Sequence, residues 1–162
     1  MQKTLSITIG KGSIGHNNRA FFAENIDSSR SQNNIIFHKE DIKKVYQELF
    51  GAALVEYNAK QKRKDRIIKD YYDHIFHSKQ EKPFYELIIQ VGNKDDTPCN
   101  SDEGKLAAQI LIEFEKEFQK RNPHVRIFNS VLHMDEHTPH LHIDFVPFAT
   151  NQKRGLSTRN AL

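Results

Sequence analysis

His133-Met134-Asp135-Glu136-His137-Thr138-Pro139-His140-Leu141-His142-Ile143-Asp144-Phe145-Val146-Pro147 is the stretch on which the fold turns. From His140 onward polar and apolar residues alternate, and alternate side chains of a strand share a face. Leu141, Ile143 and Phe145 point one way, to pack against a helix. His140, His142 and Asp144 point the other. Residues 135–139 have the length of a hairpin loop, which makes 125–134 the partner strand. Closure of that hairpin brings His133 opposite His140 or His142. Three imidazoles then converge, as a divalent metal requires, with positions left open for substrate. The competing reading, polar residues on a solvated sheet face, explains three such histidines poorly.

Working outward, the pattern is that of an α+β domain. Residues 3–9 alternate as a strand with Leu5, Ile7 and Ile9 on one face, and glycines at 10, 12 and 15 interrupt regular structure. A short helix starts near Ser13 and carries His16 and Arg19. Residues 25–34 form a polar loop, and Ile35-Ile36-Phe37 a short strand. Residues 40–77 read as helix with a polar break. Residues 84–91 read as a strand, and 103–121 as an amphipathic helix with Leu106, Ile110, Phe114 and Phe118 every four residues. No internal repeat or linker divides the chain, so residues 1–162 are expected to be one domain. Ser157 or Thr158 is placed to cap a further helix, from which the expectation is a fragment of a longer protein.

Composition narrows the class. One cysteine, Cys99, excludes a disulfide framework and a multi-cysteine zinc site. No apolar run reaches the roughly 18 residues of a membrane helix, and the N-terminus lacks a signal-peptide core, so a cytoplasmic location without a membrane segment is expected. The net charge of +3 hides an asymmetry. Residues 60–69 hold six basic residues (Lys60, Lys62, Arg63, Lys64, Arg66, Lys69) against Asp65, whereas 102–117 hold five acids against two lysines. The basic stretch suits phosphate contacts, which give salt-dependent, sequence-independent affinity for nucleic acid. On composition alone a solvated helix face explains it equally well.

The segment 133–147 resembles the third motif of the plasmid mobilisation relaxases of the Mob/Pre (MobV) type. The segments Gly15-His16-Asn17-Asn18-Arg19 and Asn25-Ile26-Asp27-Ser28-Ser29-Arg30-Ser31 resemble that family's first motif, and 57–63 through Tyr72 is also similar. The resemblance implies a relaxase-like (HUH-endonuclease) two-layer sandwich with a central five-stranded antiparallel sheet and helices mainly on one side. It implies a bacterial enzyme that nicks and closes one DNA strand at an origin of transfer through a covalent protein–DNA intermediate. His133, His140 and His142 would hold the metal, with manganese expected and magnesium, zinc or nickel as alternatives. Glu136 would be an acid/base or metal-shell residue, His16 the nucleophile and Arg19 the phosphate clamp. Arg30 joins residues 60–66 as an expected DNA contact. The DNA partner would be single-stranded or a hairpin, and other mobilisation proteins would bind through a C-terminal region not in this chain.

Three alternatives stay open. Some relatives carry a tyrosine where this chain has Asn33-Asn34-Ile35-Ile36, and its absence favours His16. A tyrosine-dependent rolling-circle-type nickase would use Tyr57, which shares a helix face with Lys60. A different three-histidine metal enzyme would need no DNA. A non-catalytic DNA-binding module would hold a structural metal.

Overall fold

The strands flanking the histidine loop pair as the alternation predicts. Val125–His133 and His140–Ala149 run antiparallel, with Leu132 opposite Leu141 and His133 opposite His140. A computed structural model describes residues 3–162, in the order β1 (Leu5–Ile9), α1 (Ile14–Asn17), β2 (Ile35–Lys39), α2 (Ile42–Ala59), α3 (Tyr71–Phe76), β3 (Tyr85–Val91), α4 (Asp102–Arg121), β4 (Val125–His133), β5 (His140–Ala149) and β6 (Arg159–Asn160). Short 3-10 turns occupy Ser28–Asn33 and Lys64–Arg66. The sheet runs β1-β3-β5-β4-β2 with every neighbour antiparallel, and β6 pairs the far end of β5. This is the expected α+β arrangement of five principal strands. Residues 159–160, expected near a helix start, instead form β6. Among the described residues no helix is long and apolar enough to cross a membrane.

One face of the sheet is sealed by α4. Ser101 caps it by accepting from the Gly104 N–H (3.0 Å), and acids in its first turn and bases in its last complement the helix dipole. Its buried stripe is Gly104, Ala107, Ala108, Leu111, Glu115 and Phe118, packed on Ile89, Val91, Ile127, Leu132, Leu141, Ile143 and Phe145. The stripe is rotated from the one the sequence suggests, since Leu106 and Ile110 stay exposed. Small residues explain the rotation. Gly104 and the two alanines let the helix approach the sheet and the 98–99 backbone more closely than leucine or isoleucine would.

The opposite face is shared between apolar packing and polar chemistry. Val45, Tyr46, Phe50 and Ala53 of α2, with Tyr71 and Ile75 of α3, pack on Phe128 and Val146. The helices are thus divided between two faces where the sequence pointed mainly to one. Along β5 the side chains on this second face read His140, His142, Asp144, Val146, so α2 covers one end and leaves the other to the histidines. The basic segment 60–69 links α2 to α3 on this histidine face, whereas the acidic α4 lies on the other. A register shift between Ile127 and Asn129 makes Phe128 an inserted residue, so that it fills the α2 core while Asn129 still meets Asp144.

A methyl group on Gly104 would lie 2.0 Å from the Pro98 carbonyl oxygen. Gly104→Ala is therefore expected to lose about 1–3 kcal/mol in urea denaturation, although alanine is the better helix former by about 1 kcal/mol. Unchanged or increased stability would refute the close approach.

Candidate active site

His133, His140 and His142 converge, with ring centroids 4.7–5.1 Å apart. In each, one ring nitrogen is held from behind. His133 Nε2–H donates to the Asn17 carbonyl (2.8 Å), His140 Nδ1–H to the Thr138 carbonyl (2.9 Å) and His142 Nδ1–H to Glu86 Oε1 (2.6 Å). These acceptors set the tautomers and leave His133 Nδ1, His140 Nε2 and His142 Nε2 bare. His133 Nδ1 and His140 Nε2 are 3.3 Å apart. Two nitrogens about 2.1 Å from a shared ion at a tetrahedral angle would be about 3.4 Å apart. His142 Nε2 is buried and has no hydrogen-bond partner. A bare imidazole nitrogen out of water is costly unless something occupies it, and a metal ion is the natural occupant. Burial pushes His133 down to about 3, with the neighbouring His142 adding to the effect, and burial also lowers His142. Both rings are therefore neutral, as metal ligands must be.

Behind the imidazoles lies a buried polar layer contributed by distant strands. Glu86 of β3 accepts from His142, from Asn17 Nδ2 (2.8 Å) and, through Oε2, from the Gly12 N–H (2.6 Å). Burial alone would raise Glu86, but these donors outweigh it and hold it at about 2. The glycines before α1 are required by this contact. A Cβ on Gly10 would sit 2.2 Å from Glu86 Oε2, and Gly12 has φ +73°, a left-handed value that side chains disfavour. Asp144 lies next to Glu86, accepting from Asn129 Nδ2 (2.9 Å) and Asn17 Nδ2 (3.2 Å). Burial, with Glu86 nearby, raises it to about 7.

His16 and Arg19 reach the same place from α1. Arg19 has φ +55°, which turns the chain sharply and sends its guanidinium back to the hairpin loop. There its Nε donates to Asp135 Oδ2 (2.9 Å) and its Nη2 to Glu136 Oε1 (3.0 Å). Asp135 is fully buried and also accepts from Ser31 Oγ and Asn34 Nδ2, each at 2.7 Å. Burial works against its charge, yet Arg19, Ser31 and Asn34 hold it well below the usual carboxylate range. Glu136 Oε1 lies 3.5 Å from His140 Nε2, 3.9 Å from His133 Nδ1 and 3.7 Å from His16 Nε2. Although burial opposes its charge, His140 and Arg19 bring it to about 2. Arg19 Nη1 is 3.4 Å from His16 Nε2. Two ligand-atom groups can each hold a metal: His16 with His133 and His142, and His133 with Glu136 and His140. Asp135, Glu136 and Glu86 are held ionised around the cluster, and Arg19 pairs with only the first two. A divalent cation would offset that excess.

The remaining sequence candidates lie elsewhere. Asp27 caps the Ser28–Asn33 turn and holds Arg30 Nε (2.8 Å). Arg30 turns inward to the Met134 and Glu136 carbonyls, so it braces the hairpin loop. Lys62, Lys64 and Arg66 are exposed, whereas Lys60 is paired with Glu56 and Arg63 with Asp65. Tyr57 packs, half-buried, against the α2–α3 cluster rather than the histidines. Sequence reasoning missed Glu86, Asn17, Asp135 and Asn129. The one local signal was Glu86, a carboxylate inside a mostly apolar strand.

A family model described as plasmid recombination enzyme, Mob_Pre, matches residues 6–161. Among solved structures the chain resembles the MobM relaxase domain (MOBV; Mob_Pre) bound to 22-nucleotide plasmid oriT DNA in a Mn-bound crystal structure at pH 5.5. The TM-score is 0.51 and the identity 24%, over 97% of this chain and 74% of that one. A Mn-bound form at pH 6.8, whose oriT DNA carries a 3′ thiophosphate, gives 0.50 and 25% over the same shares. No curated protein sequence is significantly similar to the chain.

Two outcomes follow from this geometry. Glu86→Gln, which weakens the acceptor behind His142, is expected to lower divalent-metal affinity by about 10–100-fold in calorimetric titration; unchanged affinity would deny Glu86 that role. The metal-free domain is expected to lose stability on acidification. His133 is neutral in the fold, so its contribution is full above the ordinary value of 6.5 and disappears as pH falls toward about 3. Asp144 works oppositely, favouring the fold as pH falls from about 7 to 3.8. Asp144→Asn should therefore make the loss between pH 6.5 and 4 steeper, as read by urea midpoints across pH.

Proposed function

The chain belongs to the Mob_Pre family of plasmid recombination enzymes, and from that membership we propose a metal-dependent nicking-closing reaction at an origin of transfer, with His16 as nucleophile. The observation that carries this reading is the bare, buried Nε2 of His142 in the histidine cluster beside His16 and Arg19. His133, His140 and His142 would hold the ion, with His133 shared between the two groups of mutually close ligand atoms, one adding His16 and His142 and the other Glu136 and His140. Manganese is the expected ion, since it is the one bound in the MobM structures. When bound, the ion supplies Lewis-acid neutralisation of a phosphate oxygen.

The chain's own residues do the rest. The Arg19 guanidinium, fixed by Asp135 and Glu136, presents its Nη1 edge beside His16 Nε2, where a scissile phosphate would sit. The His16 nitrogen forms a bond to phosphorus as the bond from phosphorus to the 3′ oxygen breaks, and the 3′ oxygen leaves to be protonated as a hydroxyl. The phosphorylated imidazole is cationic. Ionised Glu136, 3.7 Å from Nε2, stabilises that charge. Because the intermediate keeps the phosphate at a high-energy N–P bond, the reverse attack by a 3′ hydroxyl reseals the strand. The exposed Lys62, Lys64 and Arg66 on the same face would contribute phosphate contacts along the bound strand.

A labelled single-stranded oligonucleotide carrying the transfer origin tests the proposal. With manganese, the expected result is cleavage and an acid-labile protein–DNA adduct. In His16→Ala the adduct should vanish and cleavage fall below about one-thousandth. An acid-stable adduct that survives His16→Ala would move the nucleophile to a tyrosine such as Tyr57. Binding without cleavage would point to a non-catalytic module. His140→Ala should abolish manganese uptake while keeping the folded circular-dichroism spectrum; normal uptake would count against the ligand set.

A further inference from the structure

Two consecutive phenylalanines are left in water, the first of them beside the proposed nucleophile. Phe21 and Phe22 are 53% and 54% exposed, and neither belongs to a core cluster. The Phe21 ring centroid is 6.0 Å from that of His16, inclined by 50°. Its position relative to His16 is fixed by the backbone. The Ala20 N–H donates to the Gly15 carbonyl (2.7 Å) and the Arg19 N–H to the His16 carbonyl (3.1 Å), which close the turn that leads into Phe21. Phe21 also borders Gly15, where an added Cβ would lie 3.4 Å from its Cε1. An isolated exposed apolar residue needs no explanation, but an exposed aromatic ring at the rim of a polar cluster, followed in sequence by a second exposed phenylalanine, has a location to account for.

We propose that Phe21, with Phe22 beside it, is a stacking platform for the nucleobase adjoining the scissile phosphate. The proposal rests on the nicking reaction above. Any phosphate that His16 attacks carries a nucleoside on each side, so an adjoining base lies within one nucleotide of the imidazole, and a ring 6.0 Å away is within that reach. Unstacked bases are held on aromatic faces in single-strand recognition, because every base offers a π-face. Arg19 then meets the phosphate and Phe21 meets the base. Between them the nucleotide loses the rotation that would carry its phosphorus out of line with His16. Stacking tolerates sequence, so the platform positions the strand and leaves sequence reading to other contacts.

A double-mutant cycle between side chain and base tests this. The cut position is mapped on the origin oligonucleotide with the wild-type protein, and each nucleotide flanking it is replaced in turn by an abasic one. Dissociation constants are then measured for wild type and Phe21→Ala on intact and abasic DNA. Removing either partner should weaken binding about tenfold, and removing both no further, for one of the two flanking positions. Phe21→Trp should restore the wild-type value. Losses that multiply at both positions, or an unaffected Phe21→Ala, overturn the platform while cleavage by the wild type leaves the nicking reaction standing. A wild-type protein that does not cut, or a His16→Ala variant that cuts normally, overturns the nicking reaction and the platform with it.

Discussion

The register between β4 and β5 is the constraint on which the rest of the molecule depends. With Leu132 opposite Leu141 and His133 opposite His140, every second side chain joins the α4 core, and the others form the histidine cluster and the floor under α2. A slip of one residue would exchange the two sets, burying imidazoles under α4 and exposing leucine. The apolar packing of Leu132, Leu141 and Ile143, all fully buried, therefore also holds the geometry of the histidine cluster. Stability and chemistry share one strand pair, one face each.

The candidate site is built as a negative enclosure around the histidine cluster. Glu86 fixes His142 from behind, the Asn17 carbonyl fixes His133, and Asp135 anchors Arg19 with Ser31 and Asn34 in one buried network. Asp135 is buried and fully partnered, so its cost of desolvation is met by four donors on two different segments. The enclosure shares its face of the sheet with the basic 60–69 segment, so that face carries charge of both signs. The acidic surface of α4 lies beyond the sheet from both.

Much of this was legible in the sequence. The period-two pattern of 140–146 gave the strand, its core face and the ligand face together, because a single geometric rule governs all three. His16 and Arg19 were found through a motif, and the structure puts both beside the histidines. What could not be read were partners that meet only in three dimensions. Glu86 sits in a strand that reads as apolar, and nothing local reveals that β3 lies next to β5. The role of Asp135 was hidden because a loop aspartate looks like turn chemistry until Arg19 arrives from 116 residues away. The α4 face was misjudged for a related reason. Periodicity finds large apolar residues, but close helix–sheet approach selects small ones, so Gly104, Ala107 and Ala108 went inward and Leu106 outward.

The Asn17 amide, shared between Glu86 and Asp144, joins residues 127 positions apart in the chain. Contacts of such separation carry the largest loop-closure cost, so they form after local helices and hairpins. During vectorial synthesis the segment carrying Arg19 emerges first, and its partners Asp135 and Glu136 follow 116 and 117 residues later. The histidine cluster is assembled only when β5 docks between β3 and β4. The candidate site is therefore a property of the completed sheet, and no segment of the chain carries it alone.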